Sequence, residues 1–226
     1  MHIYQASLEA SEERLAALRP HLSQDEVTRA RRYLRPEVGR RFTVSRGYLR
    51  RLLSAYLGVD PGTVRLVYGE EDKPQLADEF RDSQVEFNLS HSHERVLYAV
   101  TRGRAVGIDV ERTREQRDLE AIARRFFARE EAEQLCALPP GERCLAFYRC
   151  WTRKEAYLKA KGGGLTFPLH RFQVTFTAAE PARLLRSELD PPGTPWVMRE
   201  LLAGPEYVAC VMVAGRELEA RCWQLE

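Results

Sequence analysis

Residues 151–165 read WTRKEAYLKAKGGGL, and the rest of the chain is best understood outward from this stretch. Good helix formers come first and three glycines follow, so the stretch predicts a helix that ends at a glycine cap near Gly162. Glu155 and Lys159 lie four residues apart and therefore share one face of that helix. By itself the pair indicates either a surface salt bridge worth about 0.3 kcal/mol or a metal ligand beside a phosphate clamp.

The composition is that of an ordinary globular protein. The 226 residues are 44% hydrophobic and 30% charged, which suits one large domain or two of about 110 residues. A net charge of +2 gives no preference for nucleic acid or a membrane. The first residues do not have the pattern of a secretory signal. The longest apolar run is far shorter than the ~20 residues that cross a membrane. The five cysteines form no CxxC pair, so neither a disulfide framework nor a zinc site is predicted. We expect a reduced, cytoplasmic protein that binds neither nucleic acid nor a membrane.

Positive charge is concentrated in one segment. Residues 29–51 contain nine arginines, Arg29 and Arg41 among them, against the single acid Glu37. This pattern indicates either a solvated helix face or an anion site. Lysine is scarce by contrast, since only Lys73, Lys154, Lys159 and Lys161 occur in the whole chain. A lysine in such a chain indicates a place where a compact ammonium is wanted.

Hydrophobic periodicity predicts the fold class. We predict helices within residues 10–34, 38–57, 115–138 and 143–162. We predict strands at residues 2–6, 64–68, 85–89, 96–100, 106–111, 172–176, 196–201, 207–213 and 218–225. Each half begins with helices and finishes on strands, which predicts an α+β fold built as a pseudo-twofold pair of similar α/β halves, residues 1–103 and 104–226.

In residues 106–111, VGIDVE, the apolar side chains of Val106, Ile108 and Val110 alternate with Gly107, Asp109 and Glu111. Asp109 and Glu111 therefore face one side of a strand, about 6–7 Å apart. Carboxylate oxygens suit a hard cation such as Mg²⁺, which binds a few carboxylates together with substrate phosphates. The alternative is the solvent face of an edge strand. Spacing alone does not bring Glu155 to this pair.

The segment SHSH, residues 90–93, supports three interpretations. Zinc is disfavoured because no cysteine or third histidine lies at a useful spacing, and a serine nucleophile is disfavoured because the GxSxG elbow is absent. A phosphate-binding turn or a plain loop is left. With the carboxylates and lysines, the residues predict a divalent-metal site facing a phosphorylated ligand, for phosphoryl transfer or hydrolysis.

The order of these motifs resembles a known family. VGIDVE at 106–111, followed by WTRKEAYLK at 151–159, resembles the two signature blocks of the Sfp-type 4′-phosphopantetheinyl transferases. FNLSHS at 87–92 and the Lys73-Pro74 loop match the family in the same order. The resemblance covers residues 29–176, and the last fifty residues match only in pattern.

The resemblance implies transfer of the 4′-phosphopantetheine arm of coenzyme A to a serine of an apo-carrier protein, with release of adenosine 3′,5′-bisphosphate. The carrier would be an acyl, peptidyl or aryl carrier of fatty acid, polyketide or nonribosomal peptide synthesis. The resemblance also implies a monomer with its active site in the cleft between the two halves. The first alternative is a metal-dependent phosphohydrolase of a small nucleotide or coenzyme A. The second alternative, ranked below it, is a non-catalytic coenzyme A binder.

The family also implies roles for individual residues. Mg²⁺, with Mn²⁺ as an alternative, would be held by Asp109, Glu111 and Glu155. Coenzyme A would be contacted by Lys159 at the pyrophosphate, by Ser90, His91 and Arg41 around the 3′-phosphate, by Lys73 and Pro74 at the adenine, and by Arg29.

Further expectations concern the acceptor side. Glu155 or a water held by the metal would be the base. Glu131 would be a further acidic residue of the catalytic site, near the acceptor. The segment around Phe126 and Phe127, with Arg124, Arg125 and Arg129, would dock an acidic carrier. Glu26 stands where related proteins carry a basic residue, so the phosphate contacts of the N-terminal half are the least defined.

Overall fold

The computed structural model describes residues 1–69, 73–115, 118–163 and 168–225. Its helices are α1 (Glu12–Leu18), α2 (Gln24–Arg32), α3 (Pro36–Leu57), α4 (Leu119–Phe126), α5 (Arg129–Ala137) and α6 (Pro140–Lys161). Its strands are β1 (His2–Ser7), β2 (Leu66–Tyr68), β3 (Pro74–Leu76), β4 (Val85–Ser92), β5 (Arg95–Arg102), β6 (Val106–Arg112), β7 (Phe172–Val174), β8 (Leu184–Ser187), β9 (Trp196–Leu201), β10 (Tyr207–Ala214) and β11 (Arg221–Gln224). The predicted α+β class is confirmed.

The two long helices, α3 and α6, are built alike. Each has 22 residues and carries a proline in its first turn, where the missing N–H is not needed. Each ends at a glycine in the left-handed conformation, Gly58 with φ 70° and Gly162 with φ 78°. The predicted glycine cap is therefore confirmed at Gly162, while residues 164–165 of the same motif lie outside the described residues.

The two main sheets repeat one strand order. The first is β11-β1-β5-β4 and the second is β6-β10-β9. In each, the first strand of the half pairs antiparallel with a central strand, which pairs antiparallel with the strand before it in sequence. The shared strand order and the matching long helices α3 and α6 together support the predicted similarity of the halves.

The helices lie outside and the two sheets pack face to face. One core joins α3 to the first sheet through residues that include Leu49, Leu53, Phe87 and Tyr98. A second joins α6 to the second sheet through residues that include Tyr157, Leu158, Cys210 and Met212. A third lies between the sheets and includes Ile3, Leu97, Ile108 and Val211. The halves therefore share a core, and α6 and β6 lie at their junction.

Two predicted boundaries differ from the structure. Strand β11, which the predicted division places in the second half, pairs parallel with β1 of the first half, with Ile3 opposite Cys222. It covers hydrogen-bonding groups that an open edge would expose. The predicted helix at 115–138 is two helices, because the backbone is extended at Ala128 (φ −61°, ψ 149°) and α5 starts anew there. None of the described helices has both the length and the apolar character to cross a membrane.

Candidate active site

Strands β4 and β6 lie side by side and are joined by side chains. Alternate β4 side chains accept hydrogen bonds from alternate backbone N–H groups of β6. The pairs are Asn88 with Ile108 (2.8 Å), Ser90 with Val110 (3.4 Å) and Ser92 with Arg112 (3.1 Å). We call these three side chains the polar ladder. The predicted turn or loop at residues 90–93 is thus wrong, since β4 continues to Ser92 and the chain turns at His93 (φ 51°).

Asp109 is buried at the centre of this junction, only 2% exposed. Its Oδ1 accepts hydrogen bonds from the Ser90 hydroxyl at 2.8 Å and the Lys159 ammonium at 2.6 Å. Its Oδ2 is buried and has no hydrogen-bond partner in the described part of the chain. A buried carboxylate oxygen without a donor is costly, so this atom fits a cation ligand.

Glu111 lies two residues along the same face of β6. Its Oε2 accepts a hydrogen bond from the Ser92 hydroxyl at 2.8 Å. Burial, and then the negative charge of Asp109, raise the pKa of Glu111. Two carboxylates that repel each other in this way gain stability from a cation held between them.

The close approach of α6 to β6 depends on Gly107. A Cβ at this position would lie 2.1 Å from the Ala156 carbonyl oxygen and 2.3 Å from the Ala160 nitrogen. Without that Cβ, the helix comes near enough for Lys159 to reach Asp109. Glu155, one turn earlier on α6, is 9% exposed.

The predicted metal site can be compared with this geometry. Among residues 1–69, 73–115, 118–163 and 168–225, no three His, Cys, Asp or Glu side chains converge closely enough to hold a metal. The predicted trio of Asp109, Glu111 and Glu155 is therefore not assembled as a complete cage. Asp109 and Glu111 still fit Mg²⁺, since Asp109 Oδ2 has no hydrogen-bond partner among the described residues. That ion usually takes one or two carboxylates and completes its shell with phosphate oxygens and water.

Ser90 supports Asp109. It is 7% exposed, and its hydroxyl contacts Asp109, Lys159 (3.0 Å) and the backbone of β6. These contacts use the hydroxyl's one hydrogen and both lone pairs. The 3′-phosphate contact of Ser90 stays a prediction. His91, next on β4, is exposed, and partial burial of its ring with the charges of Lys159 and Arg46 lowers its pKa.

Lys73 and Pro74 join the first half to α6. The Lys73 ammonium donates a hydrogen bond to the Lys159 carbonyl, and burial lowers the pKa of Lys73. Pro74 begins β3 and is buried. The Lys73 ammonium thus lies against the backbone of Lys159 near the end of α6.

The arginine-rich segment contributes side chains with different surroundings. Arg41 lies 2.6 Å from Glu9 and 3.8 Å from Glu94, beside the turn after β4. The Arg29 guanidinium lies 5.5 Å from the centre of the Phe42 ring. Both stay predicted phosphate contacts.

Arg46 was missed by the sequence reasoning. Its guanidinium lies 5.4 Å from the Phe42 ring centre and 5.5 Å from that of Tyr68, and it is 8% exposed. One of its terminal nitrogens has no hydrogen-bond partner among the described residues. A buried guanidinium with an unused donor suits a phosphate oxygen. The sequence shows a run of arginines but not which one is enclosed.

Glu26, the predicted departure from the family, has a structural role. Its Oε2 lies 2.5 Å from Arg50 Nε, and both side chains are 4% exposed. It also caps α2, accepting the backbone N–H of Ser23 at 3.1 Å.

Glu131 lies in a buried ion pair. It is 3% exposed, its Oε2 lies 2.7 Å from the fully buried Lys154 ammonium, and its oxygens accept the N–H groups of Ala128 and Val174 at 2.9 Å. Lys154 in turn donates to the Phe172 carbonyl at 2.6 Å. Enclosure in the core of the second half favours a structural role for this carboxylate, and its catalytic role stays a prediction.

We expect Lys154→Met to lower the free energy of unfolding by about 3 kcal/mol, because it leaves the Glu131 carboxylate buried without its cation. Adding Glu131→Gln to that variant is expected to restore part of the loss. Denaturant unfolding of the four proteins measures both effects. Glu131→Gln alone is expected to keep transfer activity at temperatures below its unfolding temperature. A loss of transfer activity of about 10²-fold or more would support a catalytic role for Glu131.

A cavity of about 300 Å³ opens beside Glu111. Its lining combines the apolar and aromatic residues Ile122, Phe147, Tyr148 and Trp151 with the polar residues Ser92, His93, Arg112 and Arg114. This position, next to the carboxylates, suits an uncharged part of a phosphorylated ligand.

These features define an α+β protein of two similar halves, with buried carboxylates and basic side chains at the junction whose chemistry suits a divalent cation and a phosphorylated ligand. The sequence of each half matches a known group. Residues 105–211 match the 4′-phosphopantetheinyl transferase superfamily, and residues 7–103 match the group described as 4′-phosphopantetheinyl transferase, N-terminal. The chain belongs to the 4′-phosphopantetheinyl transferase superfamily.

Individual relatives agree with this. The 4′-phosphopantetheinyl transferase HetI of Nostoc sp. (strain PCC 7120) is 42% identical over 223 residues, which cover 99% of this chain and 91% of HetI. Sfp of Bacillus subtilis (strain 168) is 32% identical over 68% of this chain and 66% of its own length. AcpT of Escherichia coli (strain K12) is 35% identical over 50% of this chain and 55% of its own length. The chain is thus a transferase of the 4′-phosphopantetheinyl group.

Proposed function

We propose that this enzyme transfers the 4′-phosphopantetheine arm of coenzyme A to a serine hydroxyl of an apo-carrier protein and releases adenosine 3′,5′-bisphosphate. The observation that carries the proposal is the contact of Lys159 with Asp109 at the junction of the halves, with Glu111 two residues along the same face of β6. These residues come from the two sequence blocks by which the family was identified. Their charges suit a cation and a pyrophosphate together.

Asp109 and Glu111 are the proposed ligands of Mg²⁺, with Mn²⁺ as an alternative. Glu155 does not converge with them in the described structure, and it would have to turn toward them to serve as the third ligand. When bound, the ion would neutralise charge on the pyrophosphate and act as a Lewis acid. Lys159, a compact ammonium on a flexible stem, would contact the pyrophosphate beside Asp109. Glu155 would accept the proton of the attacking serine, since a neutral hydroxyl is a poor nucleophile.

The nucleotide would lie against the first half. His91, Arg41 and Arg29 are the proposed contacts of the 3′-phosphate region, and Arg46 joins them because of its unused buried donor. Lys73 and Pro74 would line the adenine side. The uncharged pantetheine arm would then leave the pyrophosphate toward the aromatic cavity beside Glu111, whose volume of about 300 Å³ suits a chain of that size.

The carrier would dock on α4 and α5. Phe126 is 38% exposed at the end of α4. A nearby cavity of about 780 Å³ is lined by Arg124, Arg125, Arg129 and Arg186 together with the acidic residues Glu130 and Glu133, so the arginines exceed the acids there. Such a surface would steer an acidic partner, which is the proposed character of an acyl, peptidyl or aryl carrier. We propose that the enzyme acts as a monomer.

Mass spectrometry tests the reaction. An apo-carrier incubated with enzyme, coenzyme A and Mg²⁺ is expected to gain the mass of one phosphopantetheine, and a chelator is expected to prevent the gain. A carrier with its acceptor serine replaced by alanine is the control. Failure to modify any acyl, peptidyl or aryl carrier would contradict the proposal, and release of phosphopantetheine without a carrier would favour the phosphohydrolase instead.

A further inference from the structure

The polar ladder does more than join two strands. The β6 groups that it satisfies are N–H donors only, so each ladder side chain must present an acceptor to the strand. A serine hydroxyl has one hydrogen besides its lone pairs. Once Ser92 Oγ accepts the N–H of Arg112 at 3.1 Å, that hydrogen is available for the Glu111 carboxylate at 2.8 Å.

The same arrangement occurs at Ser90, and we call each ladder side chain with its β6 backbone partner a rung. Ser90 Oγ accepts the N–H of Val110 at 3.4 Å and donates to Asp109 at 2.8 Å. In both rungs, one serine binds the side chain of an acidic residue and the backbone of the residue after it. Each acidic side chain is thereby tied to its own strand through a short hydrogen-bonded ring.

The third rung shows what happens when no carboxylate is present. Asn88 Oδ1 accepts the N–H of Ile108 at 2.8 Å, and the residue before Ile108 is Gly107, which has no side chain to hold. Serine therefore stands on the rungs that face a carboxylate, and asparagine stands on the rung that faces glycine.

We propose that Ser92 is a positioning residue, whose hydroxyl holds the Glu111 carboxylate in the orientation that receives the divalent cation, with Ser90 serving Asp109 in the same way. This inference rests on the metal site of the proposed function. A half-buried carboxylate on a strand has several rotamers, and a fixed hydrogen bond to it removes that freedom before the cation arrives. The ladder thus couples the packing of the two halves to the geometry of the metal ligands.

The test compares Ser92→Ala, Ser92→Thr and Asn88→Ala with the wild-type enzyme. Mn²⁺ binding is measured by electron paramagnetic resonance at saturating coenzyme A, and the unfolding temperature is recorded for each protein. Loss of the hydroxyl in Ser92→Ala is expected to weaken Mn²⁺ binding about tenfold. Ser92→Thr keeps the hydroxyl and is expected to bind Mn²⁺ nearly as the wild type does. Asn88→Ala removes a rung that touches no carboxylate, so it should lower the unfolding temperature and leave Mn²⁺ affinity near that of the wild type.

Three results would overturn the inference: wild-type affinity in Ser92→Ala, affinity in Ser92→Thr as weak as in Ser92→Ala, or an equal loss in Asn88→Ala. The last would show that the ladder acts only by holding the strands together. Failure of the metal site itself has a different signature, since the wild-type enzyme would then bind no Mn²⁺ or would bind it unchanged in Asp109→Asn. Carrier modification, measured separately, tests the transferase reaction.

Discussion

Replacing Asp109 with asparagine is expected to lower kcat/KM for carrier modification by about 10³-fold. The change keeps the shape of the side chain, and it removes the charge of the carboxylate whose Oδ2 is buried without a partner among the described residues. A divalent ion at such a site contributes several kcal/mol to stabilising transition-state charge, and each 1.36 kcal/mol corresponds to a factor of ten in rate. Initial rates with saturating carrier and varied coenzyme A measure the loss.

Thermal unfolding separates lost metal binding from lost folding in this variant. Mg²⁺ with coenzyme A is expected to raise the unfolding temperature of the wild-type enzyme, because a ligand of the native state stabilises it. In Asp109→Asn the part of that rise that depends on Mg²⁺ should disappear. Asp78→Asn is a matched control, since Asp78 is exposed and forms a surface ion pair with Arg81. An unchanged response to Mg²⁺ in Asp109→Asn would remove Asp109 from the metal ligands.

Replacing Gly107 with alanine is expected to destabilise the protein by about 4 kcal/mol. The added Cβ would meet backbone atoms of α6, 2.1 Å from the Ala156 oxygen and 2.3 Å from the Ala160 nitrogen. Backbone cannot turn aside as a flexible side chain does, so β6 and α6 must separate. That movement would also draw Lys159 away from Asp109, and transfer activity should fall even where the variant is folded.

Gly141→Ala is the matched control for this prediction. Gly141 lies in the first turn of α6, and nothing lies within 4 Å of the position its Cβ would take. Since alanine is a better helix former than glycine, the change is expected to stabilise the protein by up to about 1 kcal/mol. Urea unfolding of both variants measures the difference. Equal stabilities of Gly107→Ala and Gly141→Ala would show that the close packing of α6 on β6 contributes nothing to the free energy of unfolding.

Much of the fold could be predicted because its signals are local. Proline and glycine mark both ends of α3 and α6, and strict alternation marks β6. Predictions were wrong where a distant contact decides the local structure. The extension of β4 to Ser92 depends on its pairing with β5, and β11 joins the first sheet because β1 has an open edge there.

The site shows the same division. Asp109, Glu111, Lys159 and Lys73 could be selected from motif and residue scarcity, and the structure brings Asp109 to Lys159 and Lys73 to the backbone of Lys159. Glu131 has the same chemistry in sequence, and only the structure shows that it is enclosed with Lys154. Arg46 is one of many arginines in sequence, and only its enclosure between two rings distinguishes it.

By itself, the sequence determined the α+β class, the long helices with their caps and the family, because periodicity, capping and motif order depend on neighbours along the chain. Tertiary structure alone decided which carboxylates are buried, which hydroxyls hold them and how closely α6 approaches β6. Burial and hydrogen bonding depend on residues far apart in sequence, such as Ser92 with Glu111 and Gly107 with Ala156, and these set the charge, pKa and orientation of each side chain at the junction.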